Sequence, residues 1–178
     1  MIDRITILEE AKEVFFKAMQ DGYAGDCKKS VKTLSNNGNT KTITFTDGDY
    51  KVVDEWHTNP DSDLSSGTTT IFHKDRPIWW MSYCGKYPKD VIPFLKQALK
   101  KTYERGEFNI GRGAQSYEGP LVGDKRMHYS CTKTINEFCD FQRFNGIERI
   151  TEITGSLNDP ARNGFQLGYH QIMGMSLI

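Results

Sequence analysis

In a chain of 178 residues, 23 Lys and Arg are matched by 23 Asp and Glu, so no basic excess exists to gather phosphate backbones by counter-ion release, and nucleic-acid binding is not favoured. The length fits one domain over 1–178, and ten Phe, eight Tyr and three Trp place the chain among globular rather than disordered proteins. No apolar stretch approaches the roughly 20 residues of a membrane span, and residues 1–19 are interrupted by charges too often for the h-region of a signal peptide, so a soluble, cytoplasmic protein without a membrane partner is expected.

Thr6 and Glu9 have the spacing of a capping box, and Ile7, Leu8, Ala11, Val14, Phe15 and Ala18 follow at helical intervals, predicting a helix over 5–20 that Gly22 ends. Tyr23-Ala24-Gly25 reads as a turn, and 28–40, with Asn36-Asn37-Gly38-Asn39, as a loop. A first β unit is predicted over 42–85. Its strands at 42–45 and 49–56 flank the hairpin signal Asp47-Gly48. The polar stretch 59–67 is a loop, and strands at 68–73 and 78–83 flank a charged turn, Lys74-Asp75-Arg76-Pro77. Alternation in the last strand sends Trp79, Met81 and Tyr83 to one face and Ile78, Trp80 and Ser82 to the other. A second helix over 88–104 carries the stripe Val91, Phe94, Leu95, Ala98 and Leu99, tolerates Pro93 in its first turn and closes at Gly106. A second β unit over 124–174 follows, with candidate strands at 126–133, 138–144, 147–153 and 165–173 and a hairpin signal at Asn145-Gly146.

The two β units run alike. Gly48-Asp49 opens one and Gly123-Asp124 the other, and each continues as strand, loop, Phe-led strand, charged turn and a strand ending in glycine, Gly85 or Gly155. The expected fold is α+β: a mostly antiparallel, curved sheet built from two similar three-stranded units and packed with two main helices.

Along the chain stand Tyr23-Ala24-Gly25, Asp49-Tyr50-x-Val52-x-Asp54, Arg76-Pro77-Ile78-Trp79-x-Met81-x-Tyr83-x-Gly85, Phe94-Leu95-x-x-Ala98-Leu99, Gly111-Arg112-Gly113 and Phe144-Asn145-Gly146-x-Glu148-x-Ile150. In their order and spacing the chain, from its first helix onward, resembles a bacterial family of domains of unknown function, number 5680. Where that family usually has a glycine-containing strand with an acidic residue before the Pro-x-Trp strand, this chain has Thr68-Thr69-Thr70-Ile71-Phe72-His73, which removes one candidate carboxylate. The resemblance implies a fold and no activity.

Chemistry-bearing residues fall in a few places. In Asp54-Glu55-Trp56-His57, alternation puts Asp54 with Trp56 on one face and Glu55 with His57 on the other, so Glu55 and His57 form a candidate general base. The competing reading is a charged, solvent-facing strand, since an acid–His pair needs a third partner. His128 is a further acid–base candidate. Gly111-Arg112-Gly113 suits a guanidinium that meets a carboxylate or phosphate, with a plain connecting turn as the alternative; the Gly-Lys-Ser/Thr of a P-loop is absent. Cys27, Cys84, Cys131 and Cys139 lack a Cys-x-x-Cys and read as reduced packing residues, and a zinc site from Cys131, Cys139 and His128 lacks the usual closely spaced ligand pairs; no metal or cofactor is expected.

The leading functional expectation is a binding or sensing module whose aromatic-lined pocket accepts a small molecule, anionic or nucleotide-like, with Arg112, Trp56, Trp80, Tyr83 and Tyr129 as ligand contacts. The first alternative is a small hydrolase or transferase using Glu55, His57 or His128. The second is a protein-interaction domain that docks a strand on a sheet edge. Nothing in the sequence speaks to oligomeric state.

Overall fold

The structure is a computed structural model that describes residues 3–120, 126–134, 139–154 and 163–178. Among these lie two helices, α1 (Arg4–Asp21) and α2 (Ile92–Arg105), and nine strands: β1 (Val31–Leu34), β2 (Thr40–Asp47), β3 (Tyr50–Thr58), β4 (Leu64–His73), β5 (Arg76–Lys86), β6 (Ser116–Glu118), β7 (Met127–Lys133), β8 (Arg143–Thr154) and β9 (Asn163–Ser176). One open sheet takes all nine in the order β1-β2-β3-β4-β5-β9-β8-β7-β6, every neighbouring pair antiparallel. The α+β, antiparallel character expected from the sequence therefore holds. The chain runs two meanders, β1 to β5 and β6 to β9, which join where β5 pairs with β9.

The helices lie on one face of this sheet, α1 against β2 and β3 and α2 against β7. Strand alternation supplies the residues they cover. Tyr50, Val52 and Asp54 of β3 are buried, as are Trp79, Met81 and Tyr83 of β5 and Met127, Tyr129 and Cys131 of β7. Against them α1 lays Ala11, Val14, Phe15 and Ala18, and α2 lays Phe94, Leu95, Ala98 and Leu99. Phe15 meets Trp79 at 5.3 Å between ring centroids, Trp79 stacks on Phe141 at 4.8 Å, and the indole N–H donates to the Phe141 carbonyl at 2.7 Å. Burial of side chains of this size stabilises the fold by about 1.5–3 kcal/mol each.

Asp47-Gly48 makes the expected hairpin, with Asp47 opposite Tyr50 and Gly48 at a φ of +59°, and Gly106 ends α2 in the left-handed conformation. Besides strand bounds, where β4 takes in 64–67 of the expected loop, and the unexpected short strand β6, four details differ from the sequence reading. Helix α1 starts at Arg4, with the Asp3 carbonyl accepting from the Ile7 amide, so Thr6 and Glu9 lie inside the helix and form no capping box. Helix α2 starts at Ile92; residues 88–91 make a separate turn, closed by the Val91 amide on the Pro88 carbonyl, and Pro93 sits in the first turn, where no amide is needed. The Asn-rich segment is a hairpin rather than a loop: β1 pairs with β2, and Ser35 and Thr40 close the turn around Gly38. Strand β1 is exposed throughout, so it carries no apolar alternation to read.

The fourth difference concerns Asn145-Gly146. These residues do not turn the chain; β8 runs straight through them, with Asn145 opposite Met173 and Gly146 between Lys133 and Ile172. Glycine is required at 146 for another reason, because a β-carbon there would run into the Ile110 side chain. The openings and endings read as Gly123-Asp124 and Gly155, and Phe138 at the head of a predicted strand, lie outside the described residues.

Candidate ligand-binding site

Alternation along β3 turns Asp54 and Trp56 to the helix-covered face, where they border a cavity of about 450 Å³ between the sheet, the turn after α1 and one side of α2. Small-molecule sites commonly enclose about 300–1,000 Å³. Thr69 of β4, Met81 and Tyr83 of β5 and His170 of β9 continue the sheet wall, Tyr23 and Tyr103 face it, and Arg112 enters from the segment after α2. The space depends on Gly67, which stands between Trp56 and Tyr83 in the strand register. A β-carbon at 67 would sit 2.6 Å from the Tyr83 hydroxyl, so only glycine lets that ring lean across toward Asp54.

Arg112 is aimed by its turn. Ile110 and Gly111 both have positive φ, +48° and +81°, and the Arg112 amide donates to the Asn109 carbonyl at 3.3 Å, the pattern of a type I′ turn. A β-branched residue rarely adopts positive φ; Ile110 is held there by burial against Gly146. The flanking glycines make room in the core: a side chain at 111 would meet Phe144 and Met81, and one at 113 would meet the Tyr129 ring. Core packing by itself thus accounts for glycine at both positions.

At the cavity floor a polar network gathers in apolar surroundings. Arg112, Glu148, His170 and Asp54 are all 6 % exposed or less. Arg112 Nε lies 3.8 Å from Glu148 Oε2, and Glu148 also accepts from Tyr87 Oη at 3.0 Å and Tyr129 Oη at 2.7 Å. Arg112 Nη1 lies 3.0 Å from His170 Nδ1. Because a guanidinium only donates, His170 Nδ1 accepts, and a neutral imidazole then carries its proton on Nε2 and donates to Ser65 Oγ at 3.2 Å. The guanidinium also lies over the rings of Tyr83 and Tyr23, at 4.8 and 5.5 Å. Thr69 and Tyr83 hydroxyls both donate to Asp54 Oδ1, at 2.8 and 3.0 Å.

Burial dominates the electrostatics. It pushes the Asp54 carboxyl above its usual range, against the pull of the Thr69 and Tyr83 hydroxyls and the Arg112 charge. Burial and the neighbouring Arg112 hold the His170 imidazole well below its usual value. Burial also raises Tyr83, beside Asp54, and Tyr87 and Tyr129, beside Glu148, so these phenols stay protonated donors. For Arg112, burial works against the charge, but the Glu148 carboxylate overrides it and keeps the guanidinium protonated.

Of the residues singled out from the sequence, Trp56, Tyr83 and Arg112 line the cavity. Tyr129 stands one layer behind, bonded to Glu148. Trp80 lies on the opposite face of β5, where its alternation with the buried Trp79 puts it. Glu55 and His57 are also on the opposite face; they sit 3.8 Å apart, tied to Thr42 and Thr40 of β2 and open to solvent. His128 bonds Ser116 at 2.7 Å and lies on the opposite face of β7 from Cys131. No group of His, Cys, Asp and Glu among the described residues is arranged to hold a metal ion.

Sequence reasoning passed over Asp54, Glu148 and His170 as site residues. A signal existed for two of them. Asp54 shares the parity of Trp56 on one strand, and Glu148 shares that of Ile150 and Phe144, so each is a carboxylate in an otherwise buried series. His170 comes into place only through sheet pairing.

A model of one family, described as a domain of unknown function (DUF5680), matches residues 62–158, more than half of the chain, and the chain belongs to this family. The match runs from β4 to β8 and includes Tyr83, Arg112 and Glu148, while Asp54, Trp56 and His170 lie outside it. No curated protein and no solved structure matches the chain.

Proposed function

We propose that this member of the DUF5680 family is a cytoplasmic module that binds or senses a small molecule, anionic or nucleotide-like, in the cavity between the sheet and α2. The observation that carries this reading is the convergence of buried Asp54, Arg112 and His170 on open space about 450 Å³ in volume. A polar network with only a structural purpose gains by closing around its charges, since every buried polar group left unsatisfied is costly. Trp56, Tyr23 and Tyr83 supply the apolar walls of a small-molecule site. Four unpaired cysteines agree with a reducing compartment, and no described helix is long and apolar enough to cross a membrane.

The test is a thermal-shift screen against nucleotides and common metabolites, in which a ligand at about 100 times its Kd adds roughly 2.7 kcal/mol of stability. At least one compound is expected to raise the Tm, and Trp56→Ala is expected to remove the rise. A screen with no response sinks the reading.

A small hydrolase or transferase is the second reading, favoured by one observation: an acid and an imidazole with displaced pKa values share one cavity. Its acid–base residues would then be Asp54 and His170, because Glu55, His57 and His128 do not border the space. An interaction domain using the exposed edge strand β1 is the third. The two similar three-stranded units read over 42–85 and 124–174 also belong to the proposal, and the pairing of β5 with β9 joins the two stretches at the middle of the sheet.

A further inference from the structure

The charges of the cavity are sorted along its length. Arg112, expected to anchor an anion, already has its charge answered from within by Glu148 at 3.8 Å, and its Nη1 is committed to His170. An anion pushed to the floor would meet the carboxyl of Asp54, with Glu148 already holding the guanidinium. Among the described residues, both hydrogen bonds to Asp54 fall on Oδ1, which leaves Oδ2 to the cavity that this residue lines. Asp54 is only 5 % exposed, so water competes poorly for that position. The floor therefore asks for a donor. At the solvent end the sign reverses: Lys32, Lys41, Lys89 and Lys96 line the mouth, with Asp63 as the carboxylate there. Trp56 lies between the two ends, a half-buried ring on which a flat heterocycle can stack.

Resting on the reading of this cavity as a ligand site, we infer that it takes a nucleotide-like anion bound base-inward, with an N–H donor edge on Asp54 and the phosphate among Lys32, Lys41, Lys89 and Lys96. Arg112 then shapes and neutralises the floor through Glu148 and His170, and the lysines carry the attraction for the anion.

Titration calorimetry of the full chain with the nucleoside monophosphates of adenine, guanine, cytosine and uracil, with the matching nucleosides and with inorganic phosphate, tests both ends separately. At least one of the three amine-bearing nucleotides is expected to bind. Uridine monophosphate, whose ring N–H is flanked by carbonyls, is expected to be the weakest. Replacing Lys89 and Lys96, or Lys32 and Lys41, by Ala is expected to weaken the nucleotide about tenfold and leave the nucleoside within about twofold. Asp54→Asn should weaken nucleotide and nucleoside alike, by about tenfold or more. The lysines are surface residues, so their variants decide the matter even where Asp54→Asn fails to fold. Nucleotide affinity unchanged by the lysine substitutions overturns the inference, as does inorganic phosphate that competes with the nucleotide and is lost in Arg112→Met, because the anion then sits at the floor. A flat panel overturns it too. If another compound from the wider screen still raises the Tm, the ligand site stands and only its polarity falls; silence in both removes the site as well.

Discussion

Asp54 and Glu55 are neighbours on one strand and do opposite things. Asp54 is buried under the helices, takes two hydroxyl hydrogen bonds and borders the cavity. Glu55 faces away, half open to water, with His57 3.8 Å off and threonines of β2 for company. The same division separates Trp79 from Trp80 on β5 and Tyr129 from His128 on β7. Identical chemistry therefore carries different energetic weight on the two faces of this sheet. On the covered face a charge must be matched from within, because burial in low dielectric leaves no alternative; on the open face water does the matching, and a pair such as Glu55 and His57 is worth little.

The largest expected difference between the faces comes from breaking the buried ion pair. Glu148→Gln leaves the Arg112 charge unanswered and should destabilise the protein by about 3–5 kcal/mol, read as a lowered urea midpoint. A cost below 1 kcal/mol would mean that water reaches the pair and that the covered face is not dry. Next is Gly67→Ala. The added methyl drives the Tyr83 ring from its place over the strand and should cost about 1–3 kcal/mol; it should also weaken any cavity ligand, since Tyr83 loses Asp54.

Acid should sharpen the contrast further. In the folded chain the His170 pKa is depressed by burial and by Arg112, with Glu148, Tyr83 and Tyr87 around it. Below the unfolded imidazole value of about 6.5 the unfolded chain takes up a proton that the folded one refuses, so this residue's contribution is present above 6.5 and lost as pH falls, at up to about 1.4 kcal/mol per pH unit. Asp54 works the other way: its raised pKa makes the folded chain hold the proton more firmly, adding stability as pH drops through its folded value toward the unfolded one. Denaturation of His170→Gln across this range should lack the loss that starts near 6.5 in the parent, and Asp54→Asn should lack the more acidic gain. The smallest effect belongs to the open face. Glu55→Ala and His57→Ala should each change stability by no more than about 0.5 kcal/mol and leave ligand binding untouched.

Local chemistry made much of this fold legible. The apolar spacing of both helices, the Asp47-Gly48 hairpin and the division of β5 into a face with Trp79, Met81 and Tyr83 and a face with Trp80 and Ser82 are dictated by neighbours a few residues apart. The misreading of Asn145-Gly146 shows where local rules stop. That dipeptide favours a turn in isolation, yet two flanking strands bind β8 on both sides and Ile110 needs the space above Gly146. The edge strand β1 was hidden for the opposite reason, since nothing buries it and no pattern marks it.

The site divides along the same line. Sequence by itself determined that the strands alternate, that Asp54 shares a face with Trp56 and that Arg112 stands between glycines, because covalent geometry and side-chain parity are properties of the chain alone. Which of the two faces would be covered, and hence which acid would become a buried group at a cavity rather than a hydrated one, only the tertiary structure decided. That choice is made by the helices and by the pairing of β5 with β9, which bring residues as distant as Ser65 and His170, or Arg112 and Glu148, within reach of each other. Contacts across such separations depend on register and packing that no window of local sequence contains.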